Sequence, residues 1–307
     1  VHSSSFSGYG DLINSNSGLS QVLFIANREA TMQAKIIFSG GGTYFAMMAG
    51  FYHGFRTHHL GVDQVGGTSA GGLTALSAAF SLPMLETILS VVPLTDYISK
   101  RPWAFGLNVL QEVRGRQPTK AESLYNTQDL REFLKKTFPY ELGEAGIPVS
   151  VVTADLTRKR QKIFCSRRTP RVPAWIAAYA TMAIPVIFPP IEYEGSLLAD
   201  GGICSNFALD DILPDAPVEK IIGVSTKPPV PKTPTGVIGV VKATLGAAMA
   251  HSISEDHIPG AHVVYLESAF GDSFDFEGMD LKRAEKMFMS GFEIGRLEAA
   301  QFRERLI

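Results

Sequence analysis

One serine in the chain stands in a pattern that is typical of a catalytic nucleophile. The segment Gly67-Thr68-Ser69-Ala70-Gly71 fits G-x-S-x-G, in which the serine occupies a sharp turn between a strand and a helix. Gly67 and Gly71 are small, so the strand and the helix can approach each other. The start of the helix favours the negative charge that forms during acyl transfer. The pattern therefore predicts that Ser69 is a nucleophile.

Three consecutive glycines, Gly40, Gly41 and Gly42, lie at the preceding strand–helix junction. Glycine loses conformational entropy there and packs no side chain, so the bare backbone must have a use. Its N–H groups suit a phosphate or the oxyanion of acyl transfer. Dinucleotide binding would need a glycine where Phe45 stands, and no P-loop lysine follows. A tight turn alone would explain the glycines, but the neighbouring Ser69 favours an oxyanion hole.

A serine hydroxyl needs a general base, and two kinds of residue are candidates. The histidines that follow the serine, as in α/β-hydrolases, are His251, His257 and His262. None lies in a distinctive motif, and surface or packing roles explain them. Asp200 is different, because it ends a predicted strand of the parallel sheet and precedes two glycines, at the edge where α/β sheets place their chemistry. An ordinary turn also explains Asp-Gly-Gly, so the assignment of Asp200 as the base depends on the presence of the Ser69 motif.

The predicted elements bring these residues to one edge of a sheet. Two strand–turn–helix units follow each other over residues 35–55 and 62–80, which predicts a parallel sheet with right-handed crossovers. Further strands are predicted at 147–156, 161–166, 196–202, 219–226 and 261–268, and helices within 125–138 and at 173–181, 236–250 and 281–306. Because consecutive strand ends in such a sheet can be neighbours, the glycine run can face Ser69.

Composition limits the class of protein. The 307 residues are 45% apolar and 19% charged, so the chain can bury a large core. A net charge of −2 argues against a general nucleic-acid binder. Cys165 and Cys204 form neither a disulfide framework nor a metal-ligand cluster, so we predict no metal and no cofactor. No stretch of the sequence qualifies as a transmembrane helix.

Four segments, taken in order, resemble the patatin-like phospholipases. FSGGGT is similar to the family's glycine-rich oxyanion loop, and GGTSAGG to its nucleophile elbow. YATMAIPVIFPPIEYEGSLLADGG resembles the stretch that leads to the catalytic aspartate, and Asn206 follows as it does in the family. The match spans residues 35–226, and it is specific because of order and context. Two departures are Tyr44-Phe45, where many members have a basic residue and a glycine, and Ala208, where a proline is common.

The resemblance implies a three-layer α/β/α fold with a mainly parallel central sheet, and a Ser–Asp dyad without histidine. Ser69 would be the nucleophile, Asp200 the base, and the three glycines the oxyanion donors of a lipid acyl hydrolase that forms an acyl-enzyme. The implied substrate is a phospholipid or another acyl lipid at a membrane surface. Some relatives are effectors or defence enzymes that another molecule switches on, so an activating protein or small molecule is compatible with the resemblance.

Two other functions stay open at this point. A Ser–His–Asp esterase would use one of the late histidines, and a non-catalytic lipid-binding domain would keep only the fold. We expect residues 1–31 to be a disordered leader or an expression remnant, and residues 32–307 to be one acyl hydrolase domain with a helical cap insertion around 82–125. A cytoplasmic or peripheral membrane location is expected, and a secreted effector also fits.

Overall fold

The computed structural model describes residues 33–58, 60–83, 99–100, 111, 123–213, 216–227, 233–255, 260–267, 270, 275 and 278–305. The predicted leader and most of the predicted cap lie outside these residues. The strands are β1 (Gln33–Phe38), β2 (Gly61–Thr68), β3 (Ser99–Lys100), β4 (Tyr125–Asn126), β5 (Val149–Asp155), β6 (Arg160–Cys165), β7 (Ile191–Tyr193), β8 (Ser196–Asp200), β9 (Ile221–Thr226) and β10 (His262–Leu266). The α-helices are α1 (Phe45–Phe55), α2 (Ala70–Ala79), α3 (Gln128–Thr137), α4 (Ala174–Met182), α5 (Leu209–Ile212), α6 (Gly236–Glu255) and α7 (Leu281–Arg305).

An eight-stranded sheet forms the centre of the described part of the chain. Its order is β10-β9-β1-β2-β5-β8-β7, and β6 pairs with β5. The strands from β10 to β5 are parallel, and β6, β7 and β8 add antiparallel pairs at the other side. The predicted α/β fold with a mainly parallel sheet is therefore confirmed.

Alternation along the strands divides the core between the two faces of the sheet. Ile36 and Phe38 of β1 belong to the larger apolar cluster, which includes the buried faces of α1, α2, α4 and α7. Ile37, between them, belongs to the smaller cluster with α5. Each strand of a sheet that is covered on both faces is apolar on both sides, which explains the unbroken apolar run Ile36-Ile37-Phe38.

Helices α1 and α7 pack with their backbones in contact through two pairs of glycines. A Cβ atom on Gly50 would lie 2.0 Å from the carbonyl oxygen of Phe288, and one on Gly291 would lie 1.9 Å from that of Met47. Gly54 and Gly295 lie one helical turn further along their helices and are equally close to the opposite backbone. A short 3-10 turn over Gly42–Tyr44 joins the glycine run to helix α1, so α7 supports the helix that follows the predicted oxyanion loop.

The sequence prediction placed a strand at β8 but missed β7, with which β8 forms a hairpin. Its loop has two residues, Glu194 and Gly195, with φ values of 48° and 70°. Positive φ at both loop positions is the geometry of the tight hairpin turn that matches strand twist, and Gly at the second position is its sequence signal. The hairpin reverses the chain just before Asp200 and so determines the direction from which this residue reaches the sheet.

Helix α3 confirms a helix that the sequence predicts. The helix predicted within 125–138 is present, but its N-cap residue Thr127 makes no side-chain capping bond. The Gln128 N–H instead donates to Asn126 Oδ1 over 3.3 Å. Within the described residues, no helix combines the length and the apolar character needed to cross a bilayer.

Candidate active site

Ser69 and Asp200 meet at the carboxyl edge of the sheet. Ser69 is the residue between β2 and α2, and its Oγ donates a hydrogen bond of 2.7 Å to Asp200 Oδ2. Both residues are buried, and Asp200 has no exposed surface. The two residues are far apart in the chain, and the tertiary structure brings a hydroxyl and a carboxylate together in the geometry of a nucleophile and its base.

The backbone at Ser69 is strained in the way that a nucleophile elbow requires. Its φ of 54° and ψ of −123° are unusual for an L-residue, and such conformations cost about 1–3 kcal/mol. The turn is tight enough that a Cβ on Gly67 would lie 2.5 Å from the carbonyl carbon of Gly71. A Cβ on Gly71 would lie 2.4 Å from the Ser39 carbonyl oxygen. Both predicted elbow glycines thus permit a close approach of backbones.

Asp200 reaches this position from the opposite direction to Ser69. We predicted that it ends a parallel strand, and this is wrong, because β8 is antiparallel to β5. The pairing register explains why the aspartate still lies at the site. Thr68 pairs with Val152 at the end of β2, and Asp200 pairs with Thr153, the next residue of β5. Strands β2 and β8 therefore end at neighbouring levels on either side of β5.

The Asp200 carboxyl group is held by its backbone and by neighbouring donors. The backbone N–H of Asp200 donates to the Ala183 carbonyl over 2.9 Å, and the carboxyl oxygen Oδ1 accepts the Gly202 N–H at 2.8 Å. Burial raises the pKa of Asp200 from 3.8 to about 7, while hydrogen bonds from the Gly202 N–H and the Ser69 hydroxyl act in the opposite direction. A carboxyl group whose pKa is close to neutral is a more effective proton acceptor than an ordinary aspartate.

The glycine run begins beside the elbow but uses its N–H groups in different ways. Phe38 of β1 pairs with Gly67 of β2, so the two chains leave the sheet side by side. The N–H of Gly40 donates to the Asn206 carbonyl over 2.8 Å. Among the residues that the structure describes, the N–H groups of Gly41 and Gly42 have no hydrogen-bond acceptor. Only these two of the three predicted donors are thus available to an oxyanion.

The segment after Asp200 connects the two loops of the site. The Thr68 hydroxyl donates to the Ser205 carbonyl at 3.0 Å, and Gly40 is bound by the next carbonyl, that of Asn206. A Cβ on Gly40 would lie 2.0 Å from Asn206 Oδ1, so this glycine makes room for the amide. Asn206 is part of the family resemblance, in which it was given no role. Its backbone carbonyl holds the start of the glycine run.

The residues at which the chain departs from the family pattern are part of the core. Tyr44 is 1% exposed and Phe45 is 9% exposed, and both belong to the larger apolar cluster. Ala208 is buried in the smaller cluster. The residues that follow the glycine run are thus held by apolar packing at the start of α1.

The histidine alternative finds no support at the one late histidine whose side chain the structure describes. His262 lies on β10, three strands away from β2 in the sheet order. Its Nε2 contacts Glu298 Oε2 at 2.6 Å, and its Nδ1 contacts Arg305 Nη1 at 2.7 Å. The side chain of His251 and the whole of His257 lie outside the described residues. Ser69 Oγ has Asp200 as its partner instead.

Thr181 is a residue of the site that the sequence prediction did not find. The Ser69 N–H donates to Thr181 Oγ1 over 2.8 Å, and this hydroxyl donates to the Val152 carbonyl over 2.7 Å. A threonine in the last turn of an apolar helix carries no sequence signal for such a role.

Across the described residues, no group of three or more His, Cys, Asp or Glu side chains is placed to hold a metal ion.

Comparison with known sequences adds to this geometry. A sequence profile of the patatin-like phospholipases matches residues 36–213, more than half of the chain. The chain is 21% identical over 183 residues to a probable lipid hydrolase, 463L, of Invertebrate iridescent virus 6, with 57% of this chain and 61% of that protein covered. It is 24% identical over 206 residues to an uncharacterized NTE family protein, MT2641, of Mycobacterium tuberculosis (strain CDC 1551 / Oshkosh), with 64% and 31% covered. The chain thus matches less than two thirds of the length of each of these two relatives.

A solved structure shows the same architecture. VipD from Legionella pneumophila superposes with a TM-score of 0.58 at 15% identity, over 87% of this chain and 67% of that chain. At this level of identity, the likeness establishes the fold and says nothing about substrates. It agrees with the α/β architecture derived from the strand order.

Proposed function

The chain belongs to the patatin-like phospholipase family, and on this premise we propose that it is a lipid acyl hydrolase with Ser69 and Asp200 as its catalytic dyad. The observation that carries the proposal is the 2.7 Å hydrogen bond from Ser69 Oγ to Asp200 Oδ2 in a buried site. The strained elbow and the raised pKa of Asp200 support it, because both prepare a hydroxyl for attack.

The reaction would begin with proton transfer from Ser69 to the Asp200 carboxylate. As the proton leaves, Oγ forms a bond with the carbonyl carbon of a lipid ester, and the carbonyl oxygen becomes negatively charged. The N–H groups of Gly41 and Gly42 would stabilise this oxyanion, since they are the unoccupied donors of the glycine run. When the tetrahedral intermediate collapses, Asp200 returns the proton to the leaving alcohol, and an acyl group remains on Ser69.

Water would complete the cycle by the same steps in reverse order. Asp200, ionised again, takes a proton from a water molecule that attacks the acyl-enzyme. The resulting oxyanion is held by the same two N–H groups, and Ser69 leaves with the proton from Asp200. The products are a fatty acid and an alcohol. One carboxylate therefore acts as base and acid in turn, a role that a pKa of about 7 permits near neutral pH.

The family and one relative support the proposed substrate class. A carboxylic ester of a glycerolipid provides the carbonyl that the dyad attacks, and phospholipids at a membrane surface are the proposed source. The viral relative, which carries the name of a probable lipid hydrolase, supports a lipid ester over a peptide or a sugar ester.

Active-site labelling and turnover of a short-chain nitrophenyl ester test the proposal together. We expect a fluorophosphonate to label wild-type protein at Ser69, and Ser69→Ala to abolish labelling and lower kcat/KM by about a thousandfold or more. Ser77→Ala is the matched control, because Ser77 is a buried serine in α2 outside the site. Its activity is expected to stay near that of wild type.

Two results would decide for the other functions. A collapse of turnover in the combined variant His251→Ala, His257→Ala and His262→Ala would support a Ser–His–Asp esterase. An absence of labelling and turnover, with vesicle binding retained, would support a non-catalytic lipid-binding domain. Under the proposed function, the triple variant keeps most of its activity.

A further inference from the structure

The end of helix α4 contacts both members of the dyad within three residues. At residue 181, a side-chain hydroxyl binds the backbone of Ser69. At residue 183, a backbone carbonyl accepts the N–H of Asp200 at 2.9 Å. The nucleophile and the base come from different strands that run in opposite directions. The segment 181–183 is therefore a direct connection between them that does not pass through the reacting atoms.

The Thr181 hydroxyl has one hydrogen, and its two contacts fix the direction of each hydrogen bond. The backbone N–H of Ser69 can only donate, so Thr181 Oγ1 accepts there. The carbonyl of Val152 can only accept, so the hydroxyl hydrogen points to it. Thr181 has no exposed surface, so water does not compete for either contact. The hydroxyl thus lies between the elbow and β5, the strand that pairs with Asp200 through Thr153.

The position of this hydroxyl beside the end of the β2–β5 pairing explains why it is needed. Thr68 and Val152 form the last pair between β2 and β5. At the next residue the chain turns sharply, so the Ser69 N–H leaves the ladder and needs an acceptor from outside the sheet. The Thr181 hydroxyl accepts this N–H and in turn donates its own hydrogen to the Val152 carbonyl of β5. A buried N–H without an acceptor is costly, so the contact stabilises the strained elbow in one orientation.

Gly72 provides the space for this arrangement. It lies just outside the G-x-S-x-G pattern and needs no special φ. A Cβ on Gly72 would lie 2.9 Å from both Oγ1 and Cγ2 of Thr181. Thr181 therefore packs against α2 at a position where only a glycine fits. The last glycine of GTSAGG, Gly72, leaves the space that this residue of α4 occupies.

We propose that Thr181 is a positioning residue, which holds the Ser69 backbone so that Oγ stays aligned with Asp200. The inference rests on the proposed function. It assigns to the end of α4 the task of fixing the two halves of the dyad relative to each other. Thr181 itself touches neither substrate nor reacting atoms in this scheme.

The test uses three variants of the full chain with a soluble nitrophenyl ester. Thr181→Val keeps the shape of the side chain and removes the hydroxyl, and kcat is expected to fall about 10–100-fold with little change in KM. Thr181→Ser keeps the hydroxyl and is expected to recover most of the activity. Thr169→Val is the matched control, because Thr169 accepts the Cys165 N–H at 2.8 Å and donates to the Cys165 carbonyl at 3.0 Å, at the opposite end of β5. Its kcat per folded molecule is expected to stay unchanged.

The pH profile provides a readout that a loss of stability does not move. The Ser69 hydroxyl lowers the pKa of Asp200, so a misaligned serine should move the acidic limb of the kcat profile of Thr181→Val to higher pH. Equal losses in Thr181→Val and Thr169→Val, or no recovery in Thr181→Ser, would overturn the assignment of Thr181. Such a result leaves the dyad intact, because fluorophosphonate labelling of wild type at Ser69 and its loss in Ser69→Ala test the dyad separately.

Discussion

Glycines are concentrated in two regions of this molecule, and their structural roles differ between the two. Between α1 and α7, the four glycines replace side chains so that two helix backbones touch. At the site, Gly67 and Gly71 also permit close approach, but Gly41 and Gly42 leave N–H groups without an acceptor among the described residues. The first region uses bare backbone for packing alone, whereas under the proposed function the second also offers its N–H groups to an oxyanion.

The difference shows how stability and activity are divided in this fold. The helix pair has its glycines against carbonyl oxygens of a neighbouring helix, which cannot move unless the helix moves. The site contains groups that are unfavourable for folding: a strained serine, a fully buried carboxyl group and open backbone donors. We therefore expect substitutions in the helix pair to change stability, and substitutions at the site to change activity, sometimes with the opposite effect on stability.

Asp200→Asn should have the largest effect on activity. Asparagine has nearly the same shape but cannot accept the Ser69 proton, so we expect kcat/KM on a nitrophenyl ester to fall by about three orders of magnitude or more. The variant should still fold, because its Oδ1 can accept the Gly202 N–H as in wild type. Retention of more than a tenth of the activity would remove Asp200 from the role of base.

The same variant should gain stability above neutral pH. The unfolded chain loses the Asp200 proton near pH 3.8, whereas the folded chain keeps it until about pH 7. Between these values the unfolded state binds fewer protons, so the free energy of unfolding of wild type falls as the pH rises. The loss is about 1.4 kcal/mol for each pH unit between the two pKa values, and it is complete above pH 7.

Denaturant unfolding of wild type and Asp200→Asn at pH 4 and pH 8 measures this effect. We expect the variant to be the more stable protein at pH 8 and the difference to shrink toward pH 4. A variant that is less stable than wild type at pH 8 would show that the buried carboxylate contributes to folding, contrary to the division between the two regions.

Gly291→Ala should have the largest effect on stability. Its Cβ would lie 1.9 Å from the Met47 carbonyl oxygen, so the helices must separate, and overpacking of this kind costs about 1–3 kcal/mol or more. Thermal unfolding measures the loss, and kcat per folded molecule at low temperature should stay near wild type. Gly239→Ala in α6 is the control, because its Cβ would meet no atom closer than 3.7 Å and stability should not fall.

Wild-type activity should depend on the ionisation of Asp200. Because only the carboxylate accepts the serine proton, kcat should rise about tenfold per pH unit up to about pH 7 and level off above it. A profile measured between pH 5 and pH 9 on a neutral ester tests this expectation. The same limb should appear in His262→Ala, and its disappearance there would point to histidine as the base.

Gly41→Ala should have the smallest effect and should act on activity alone. Its Cβ would approach side-chain atoms, Met48 Cε at 2.8 Å and Thr226 Cγ2 at 2.9 Å, and not the backbone carbonyl that Gly291 faces. A small displacement of the N–H should lower kcat about tenfold, less than the complete loss of an oxyanion donor. Gly146→Ala, whose Cβ would lie 3.4 Å from the nearest atom, is the control. A stability loss as large as that of Gly291→Ala would make Gly41 a packing glycine.

Local sequence patterns were sufficient to predict much of the fold and to propose Ser69 and Asp200 as the dyad. The elbow around Ser69, the glycine run and the Asp-Gly-Gly turn each have a local conformational signature, and the strand–helix alternation predicts the parallel part of the sheet. The helix after the glycine run and the long C-terminal helix were predicted close to their observed bounds. These features depend on neighbours within a few residues, which a single sequence displays.

Other features depend on contacts between distant parts of the chain, and a local pattern does not contain them. The antiparallel arrival of Asp200, the use of the Gly40 N–H by Asn206 and the contact of Thr181 with Ser69 all follow from the pairing register and from helix packing. Turn chemistry is local, so the amino-acid sequence is enough to identify the nucleophile and base candidates. Their orientation and the contacts that hold them come from the fold, because strand register and helix contacts join residues that are far apart in the chain.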